Sequence, residues 1–195
     1  MTTLNETPTS NRLHIGIFGR TNSGKSSLIN AFTRQKVSIV ANQAGTTTDP
    51  VYKPMEIHPL GACVIIDTAG FGDESTLGES RLEKTHLAAE KSDIAVIIIA
   101  PREIKQNISF REAFPEEYAW YRIFAEKKTP ILFVINKADI YTQVAALAKD
   151  IARETGEEVL AVSALTGDGI STVKEALTRL PQKSYGAQYI TNSGE

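Results

Sequence analysis

The stretch Gly19–Ser27, GRTNSGKSS, follows directly after the short apolar run Leu13–Phe18. It matches the pattern G-x-x-x-x-G-K-S, in which Gly24, Lys25 and Ser26 take the last three positions. Glycines in such a loop let backbone N–H groups curve around a β-phosphate, and the helix that follows adds its positive N-terminal end. The stretch therefore predicts a strand, a phosphate-binding loop and a helix, in that order.

The polar side chains of this loop are the first candidate site residues. The Lys25 amine has the length to reach β- and γ-phosphate oxygens, and the Ser26 hydroxyl is suited to ligate Mg²⁺. A glycine-rich turn of no functional meaning is the alternative, but the strand before the loop and the helix after it disfavour that interpretation. The predicted nucleotide-binding residues of the loop are Asn22, Ser23, Gly24, Lys25, Ser26 and Ser27.

The base that accompanies the phosphates is indicated by an N-K-x-D box at Asn136, Lys137 and Asp139, at the end of the apolar run Ile131–Ile135. A carboxylate at Asp139 accepts hydrogen bonds from the N1–H and the exocyclic amine of guanine. Adenine has no such amine, so a carboxylate there would be left unpaired, and leaving polar groups unpaired in a binding site is how such sites reject analogues. In isolation, the box is equally well explained as a turn in which Asp139 caps a helix.

A second segment, Ser163–Ala164–Leu165, closes the other side of the predicted guanine pocket, with the Ala164 N–H directed at guanine O6. Between the two outer boxes lies Asp67–Thr68–Ala69–Gly70, a D-x-x-G sequence after another apolar run. Asp67 is predicted to hold Mg²⁺ through a water, and the Gly70 N–H to sense the γ-phosphate. Thr47, in the threonine-rich segment 45–49, is the candidate for a second hydroxyl on Mg²⁺; a solvent-exposed loop is the alternative for that segment.

The remaining apolar runs predict a three-layer α/β fold with a mostly parallel sheet. Short, continuous Val- and Ile-rich runs are typical of strands that are buried on both faces. Val51–Ile57 is less apolar and contains Pro54, so it is predicted to be an edge strand, the one antiparallel strand of the sheet. The predicted inner strands are Leu13–Phe18, Cys63–Ile66, Ile94–Ala100, Ile131–Ile135 and Val159–Val162. The predicted helices are Lys25–Thr33, Arg81–Glu90, Pro115–Lys127, Val144–Glu154 and Ser171–Leu180, and the segment 101–114 remains unassigned.

Composition limits the partners and cofactors. The 195 residues carry a net charge of −2, so no general attraction to nucleic acid or anionic membranes is expected. The longest apolar run, Ile94–Ala100, is too short to span a bilayer, and the polar N-terminus lacks a signal-peptide core, so a cytoplasmic location is predicted. Cys63 is the only cysteine, and an iron–sulfur cluster is therefore not expected in this chain.

The predicted organisation is a loose tail at 1–11, a nucleotide-binding domain at 12–180, and a linker or truncated continuation at 181–195.

Taken together, these boxes resemble the translation-factor-related class of small GTPases, within the P-loop NTPase fold. Within that class the chain is similar to the potassium-dependent group of tRNA-modification and ribosome-assembly GTPases, and in particular to the GTPase domain of FeFe-hydrogenase maturation factors of the HydF type. The resemblance spans roughly residues 13–180. It is carried by GRTNSGKSSLINAF (19–32), AGTTTDPVYKPMEI (44–57), PLGACVIIDTAGFGDESTLGESRLEKT (59–85) and VINKAD (134–139).

The resemblance implies GTP and GDP as ligands, Mg²⁺ as cofactor, and slow hydrolysis stimulated by K⁺. In this group the P-loop asparagine, here Asn22, helps to bind K⁺, together with first-switch carbonyls near Ala41 and Gln43. Many GTPases have a water-orienting Gln after D-x-x-G; this chain has Phe71, and Glu79 is the candidate to position the water instead. An exposed acid at the start of a helix is the alternative for Glu79.

The resemblance also implies partners. Hydrogenase maturation proteins, or the hydrogenase itself, would act through a longer protein that contains this domain, and a nucleotide-dependent homodimer is a further expectation. Relatives usually read G-T-T-R-D, whereas this chain has Thr48 in place of the arginine. Two alternatives stay open: a tRNA-modification or ribosome-assembly GTPase, and a nucleotide-dependent interaction module with negligible turnover.

Overall fold

A computed structural model describes residues 12–33, 50–68, 78–101 and 108–181. These residues form six strands and six helices. The strands are β1 Leu13–Gly19, β2 Val51–Ile57, β3 Gly61–Asp67, β4 Ile94–Ile99, β5 Ile131–Ile135 and β6 Glu158–Ala161. The helices are α1 Lys25–Thr33, α2 Gly78–Lys91, α3 Phe110–Ala113, α4 Pro115–Glu126, α5 Val144–Thr155 and α6 Ile170–Arg179.

The strands form one sheet in the order β2-β3-β1-β4-β5-β6. All neighbours pair in parallel except β2 and β3, which pair antiparallel and place β2 at one edge. The prediction of a mostly parallel sheet with one antiparallel edge strand is therefore confirmed. The chain adds β3 on one side of β1 and β4 on the other, so the direction of strand addition reverses at β1. In such sheets, ligands bind at this point, in the crevice beyond the carboxyl ends of the strands.

Two hydrophobic cores, one on each face of the sheet, give the fold its three layers. Helices α1 and α6 pack on one face, with Phe32 and Leu177 among the fully buried side chains. Helices α2 to α5 cover the other face, where Phe18 contacts Phe124 at a ring-centroid distance of 4.8 Å. Strands β4 and β5 are buried along their whole length, which explains why they read as uninterrupted apolar runs.

Most predicted elements occur within three residues of their expected bounds. The α3 helix was missed because it is only four residues long and interrupts a polar segment. Its single sequence signal is a capping box, in which Ser109 and Glu112 satisfy each other's backbone N–H groups. None of the helices among the described residues is long and apolar enough to cross a membrane.

Candidate functional site

The predicted phosphate loop and guanine-binding boxes come together at the carboxyl edge of the sheet. The loop follows β1, Asp67 ends β3, the box at 136–139 follows β5, and the segment at 163–165 follows β6. Because parallel strands present their carboxyl ends on the same side, sequence-distant polar groups converge there.

The phosphate loop is shaped by close backbone approach. Gly24 has a φ of +96°, and a Cβ atom built on it would lie 2.0 Å from the Asn136 side-chain nitrogen. A Cβ on Gly19 would lie 2.5 Å from the Ser23 hydroxyl oxygen. That hydroxyl is buried and has no hydrogen-bond partner among the described residues. The glycines thus leave a cradle that side chains would fill, as a bound phosphate chain requires.

Lys25 is held inside this loop. Its amine donates to the backbone carbonyls of Gly19 and, at 2.9 Å, of Arg20. Burial lowers the pKa of Lys25, whereas the nearby charges of Asp67 and Glu117 act in the opposite direction. A partly desolvated cation at the start of a helix suits a phosphate ligand, because its attraction to anions is poorly screened there.

Asn136 joins the two halves of the site. Its side-chain nitrogen donates to the Ser23 carbonyl at 3.0 Å, and its side-chain oxygen accepts from the Ala164 N–H at 3.0 Å. The side chain is 3% exposed. This buried amide therefore fixes the phosphate loop and the segment at 163–165 in one frame. The sequence analysis predicts that the Ala164 N–H donates to guanine O6. If it does, this N–H is shared between guanine O6 and Asn136 Oδ1.

The other predicted base-binding residues line this region in different ways. Lys137 has a φ of +62°, which turns the chain sharply after β5. Asp139 is exposed, whereas Ser163 is buried and accepts from the Thr166 N–H at 3.2 Å. Leu165 is 78% exposed, so its side chain is accessible to a ligand.

Asp67, the predicted magnesium residue, has a partner that sequence reasoning missed. The Lys53 amine donates to Asp67 Oδ2 at 2.7 Å, and the Asp67 side chain is only 3% exposed. Thr68 donates to the Ile17 carbonyl at 2.7 Å and so ties the chain after β3 to the neighbouring strand. A signal for Lys53 exists in the sequence: strand alternation puts it on the same face as the buried Met55 and Ile57.

Glu117 is a second residue whose position was not foreseen. It lies in the first turn of α4, where acidic residues favour the positive helix end, yet it is 2% exposed. Burial lowers the pKa of Lys25, and the Glu117 charge, with that of Asp67, offsets part of this lowering. The neighbouring Glu116 Oε1 lies 3.6 Å from Arg20 Nε. The start of α4 therefore forms an acidic flank beside the phosphate loop.

Several predicted site residues lie outside the described residues. Thr47, Gly70 and Phe71 are among them, and their roles stay predictions. Glu79 lies in the first turn of α2, and its role in positioning the water stays a prediction. Asn22 is exposed in the phosphate loop with a φ of +62°.

The cysteine and the histidines do not gather into a further site. Cys63 is buried in β3, where burial raises its pKa to about 12. His58 and His86 are exposed, and His14 lies beside Asp93. Within the ranges that the structure covers, no group of three His, Cys, Asp or Glu side chains is arranged to hold a metal ion.

Comparison with known proteins agrees with this geometry. Residues 14–137, more than half of the chain, match the family described as 50S ribosome-binding GTPase. The GTPase Der of Xanthomonas oryzae pv. oryzae is 30% identical over 174 residues, which are 88% of this chain and 36% of that protein. The tRNA modification GTPase MnmE of Chromobacterium violaceum is 32% identical over 171 residues, 86% of this chain and 34% of that protein. The chain thus spans about a third of the length of these curated relatives.

Among solved structures, Era in complex with MgGDPNP and nucleotides 1506–1542 of 16S ribosomal RNA superposes with a TM-score of 0.65. It is 28% identical, and the match covers 90% of this chain and 59% of that chain. The six-stranded sheet with helices on both sides is therefore the fold of the small GTPases.

Proposed function

The chain belongs to the family of 50S ribosome-binding GTPases, and we propose on that premise that it binds GTP with Mg²⁺ and hydrolyses it to GDP and phosphate. The observation that carries the proposal is the position of Asn136. Its buried side chain hydrogen-bonds to both the phosphate loop and the segment at 163–165, so phosphate and guanine sites belong to one rigid unit.

Each residue has a definite task in this proposal. The Lys25 amine binds β- and γ-phosphate oxygens, and Ser26 and Asp67 are the residues that would hold Mg²⁺, the latter through a water. Bound Mg²⁺ supplies positive charge for the phosphate oxygens. Asp139 selects guanine. Thr47 and Gly70 would complete the metal and γ-phosphate contacts from the two segments 41–50 and 68–80, which we expect to switch conformation on hydrolysis.

Slow turnover and stimulation by K⁺ also form part of the proposal. Phe71 stands where many GTPases have the water-orienting Gln, so another group must position the water and stabilise the developing charge. Asn22 is the residue that would hold a K⁺ ion, which would supply charge beside the phosphates, and Glu79 would position the water. A nucleotide-dependent interaction module with negligible turnover is the competing proposal, and single-turnover hydrolysis in K⁺ and Na⁺ buffers separates the two.

For the cellular role, the comparisons favour a tRNA-modification or ribosome-assembly GTPase. The Der and MnmE relatives support this proposal, as does the Era structure with its ribosomal RNA. The net charge of −2 supplies no general attraction to RNA, so contacts would be local or would involve other parts of a longer protein.

A second candidate role, maturation of FeFe-hydrogenase, rests on different residues. The segments 44–57 and 59–85 resemble the HydF type, and Thr48 replaces the arginine that the tRNA-modification and ribosome-assembly relatives usually carry. In this role the domain would act with hydrogenase maturation proteins, and its iron–sulfur chemistry would lie outside this chain, because Cys63 is the single cysteine.

The basic proposal is tested by titrating the protein with fluorescent GDP in competition with GTP and ATP. We expect GTP and not ATP to compete, and we expect Lys25→Ala to lose binding while the matched variant Lys127→Ala keeps it. Lys127 lies at the far end of α4, where it pairs with Glu90 at 3.8 Å. Equal competition by ATP, or no binding, contradicts the proposal.

The two cellular roles are then separated by adding partners to the GDPNP-bound protein. Co-sedimentation with ribosomal subunits or retention of tRNA supports the first role. Stimulation of GTP turnover by hydrogenase maturation enzymes, without RNA retention, supports the second.

A further inference from the structure

The contact between Lys53 and Asp67 joins the edge strand to the proposed magnesium site. The Lys53 amine lies 2.7 Å from Asp67 Oδ2, and the two side chains are 35% and 3% exposed. A buried carboxylate is costly unless a cation or hydrogen-bond donors compensate its charge. Lys53 contributes to that compensation through the short contact with Asp67 Oδ2.

The sheet geometry brings the two side chains together. In the antiparallel pairing of β2 and β3, Lys53 lies opposite Ile65 and Val51 lies opposite Asp67. Lys53 and Asp67 are therefore diagonal neighbours on one face, a separation that a long side chain can bridge. Two further β2 side chains of this face, Met55 and Ile57, are buried in the core.

The contact has a direct consequence for metal binding. The same carboxylate that pairs with Lys53 is proposed to hold a water of the magnesium shell. An ammonium group and a divalent cation at one carboxylate repel each other, and they compete for the same negative charge. The Lys25 amine is a further positive charge near Asp67.

We propose that Lys53 is an internal counter-ion of Asp67 that Mg²⁺ must displace, so that Lys53 sets the magnesium concentration at which the domain retains nucleotide. The inference rests on the proposed GTP-binding function. Without Mg²⁺, the ion pair stabilises the empty site and favours nucleotide release. With Mg²⁺ bound, the Lys53 amine no longer contacts the Asp67 carboxylate.

The test measures release of fluorescent GDP from wild type and from Lys53→Met over a range of Mg²⁺ concentrations. Methionine keeps most of the side-chain volume and removes the charge. We expect the Mg²⁺ concentration for half-maximal retention to fall about fivefold, the change that corresponds to ~1 kcal/mol for a partly exposed pair. Lys53→Arg should behave like wild type. Lys127→Met is the matched control, since Lys127 is 34% exposed and its ion pair lies away from the site.

A second readout needs no nucleotide. In the metal-free protein, Lys53→Met should lower the melting temperature by several degrees, because the buried Asp67 carboxylate loses the ion pair with Lys53. If Lys53→Met does not fold, NMR of the Lys53 ammonium group in wild type replaces it, and its signal should change when Mg²⁺ is added to the GDP complex.

The outcomes are separable. Absence of GDP binding in wild type overturns the proposed function itself. Normal GDP binding with an unchanged or increased magnesium requirement in Lys53→Met overturns only the role of Lys53. A Lys53 ammonium signal that does not change when Mg²⁺ is added has the same meaning.

Discussion

The side-chain nitrogen of Asn136 donates a hydrogen bond of 3.0 Å to the backbone carbonyl of Ser23, which lies 113 positions earlier in the chain. The same side chain accepts from the Ala164 N–H. One buried amide thus holds the phosphate loop and the segment at 163–165 at a fixed distance from each other. Such preorganisation reduces the entropy that binding must overcome.

This contact makes Gly24 sensitive to substitution. We expect Gly24→Ala to lower the free energy of unfolding by about 2–4 kcal/mol and GDP affinity at least about tenfold, because the new methyl group would meet the Asn136 amide and strain a left-handed residue. Urea denaturation and titration with fluorescent GDP measure the two effects.

Gly61→Ala is the matched control, because Gly61 has a φ of +91° but a Cβ atom built on it would meet nothing within 4 Å. It should cost only about 1 kcal/mol of backbone strain and leave GDP affinity unchanged. Equal effects of the two substitutions would show that the close approach to Asn136 has no energetic importance.

The base preference should change when Asp139 becomes Asn. The carboxylate would accept from the guanine amine, whereas an amide donates to the C2 carbonyl of xanthine. We expect Asp139→Asn to weaken GTP binding by more than about 2 kcal/mol and to improve binding of xanthosine triphosphate. Titration with both nucleotides measures the change. An unaltered preference for GTP would remove Asp139 from the base site.

Potassium should accelerate turnover several-fold relative to sodium, which corresponds to at least about 1 kcal/mol on the barrier. Steady-state rates in matched K⁺ and Na⁺ buffers measure this difference. Asn22→Ala should abolish it with little change in GDP affinity, because Asn22 acts mainly in the transition state. Asn22→Gly is the control for backbone strain, since glycine tolerates the φ of +62° at this position. It removes the same side chain and should therefore have the same effect as Asn22→Ala. A measurable rate that is the same in both cations would refute the potassium site.

Cys63 should make the domain less stable in alkali. Burial raises its pKa from an ordinary value of 9.0 to about 12, so above pH 9 the unfolded chain loses a proton that the folded chain keeps. The unfolded state then binds fewer protons, and the free energy of unfolding falls as pH rises. Between about pH 8 and about pH 10.5, wild type should lose roughly 2 kcal/mol more than Cys63→Ala.

Chemical denaturation of both proteins at the two pH values measures this difference. The cavity left by Cys63→Ala adds a cost that does not depend on pH, so only the change with pH matters. Parallel pH profiles would mean that the thiol ionises equally easily in both states.

The sequence predicted those parts of the molecule whose cause is local or periodic. Strand β5 was predicted with its observed bounds because all five of its residues are buried and apolar. The phosphate loop and the N-K-x-D box were recognisable because their chemistry requires particular residues at fixed spacing.

Contacts between distant elements were not predictable in the same way. The pairing of Lys53 with Asp67 depends on how β2 aligns with β3, and the burial of Glu117 depends on how α4 docks beside the phosphate loop. The α3 helix is held largely by its surroundings: the Phe110 N–H donates to Glu154, 44 positions away. Such tertiary contacts override local preference.

The turn between β2 and β3 limits the insertions and deletions that the sequence can tolerate. Side chains alternate between the two faces of a strand, so inserting or deleting one residue at 58–60 would shift the pairing by one step. Lys53 would then point to the opposite face and lose Asp67, although no residue of the nucleotide site had changed. The length of a surface turn, usually the most permissive part of a protein, is here constrained by the chemistry at the far end of the hairpin.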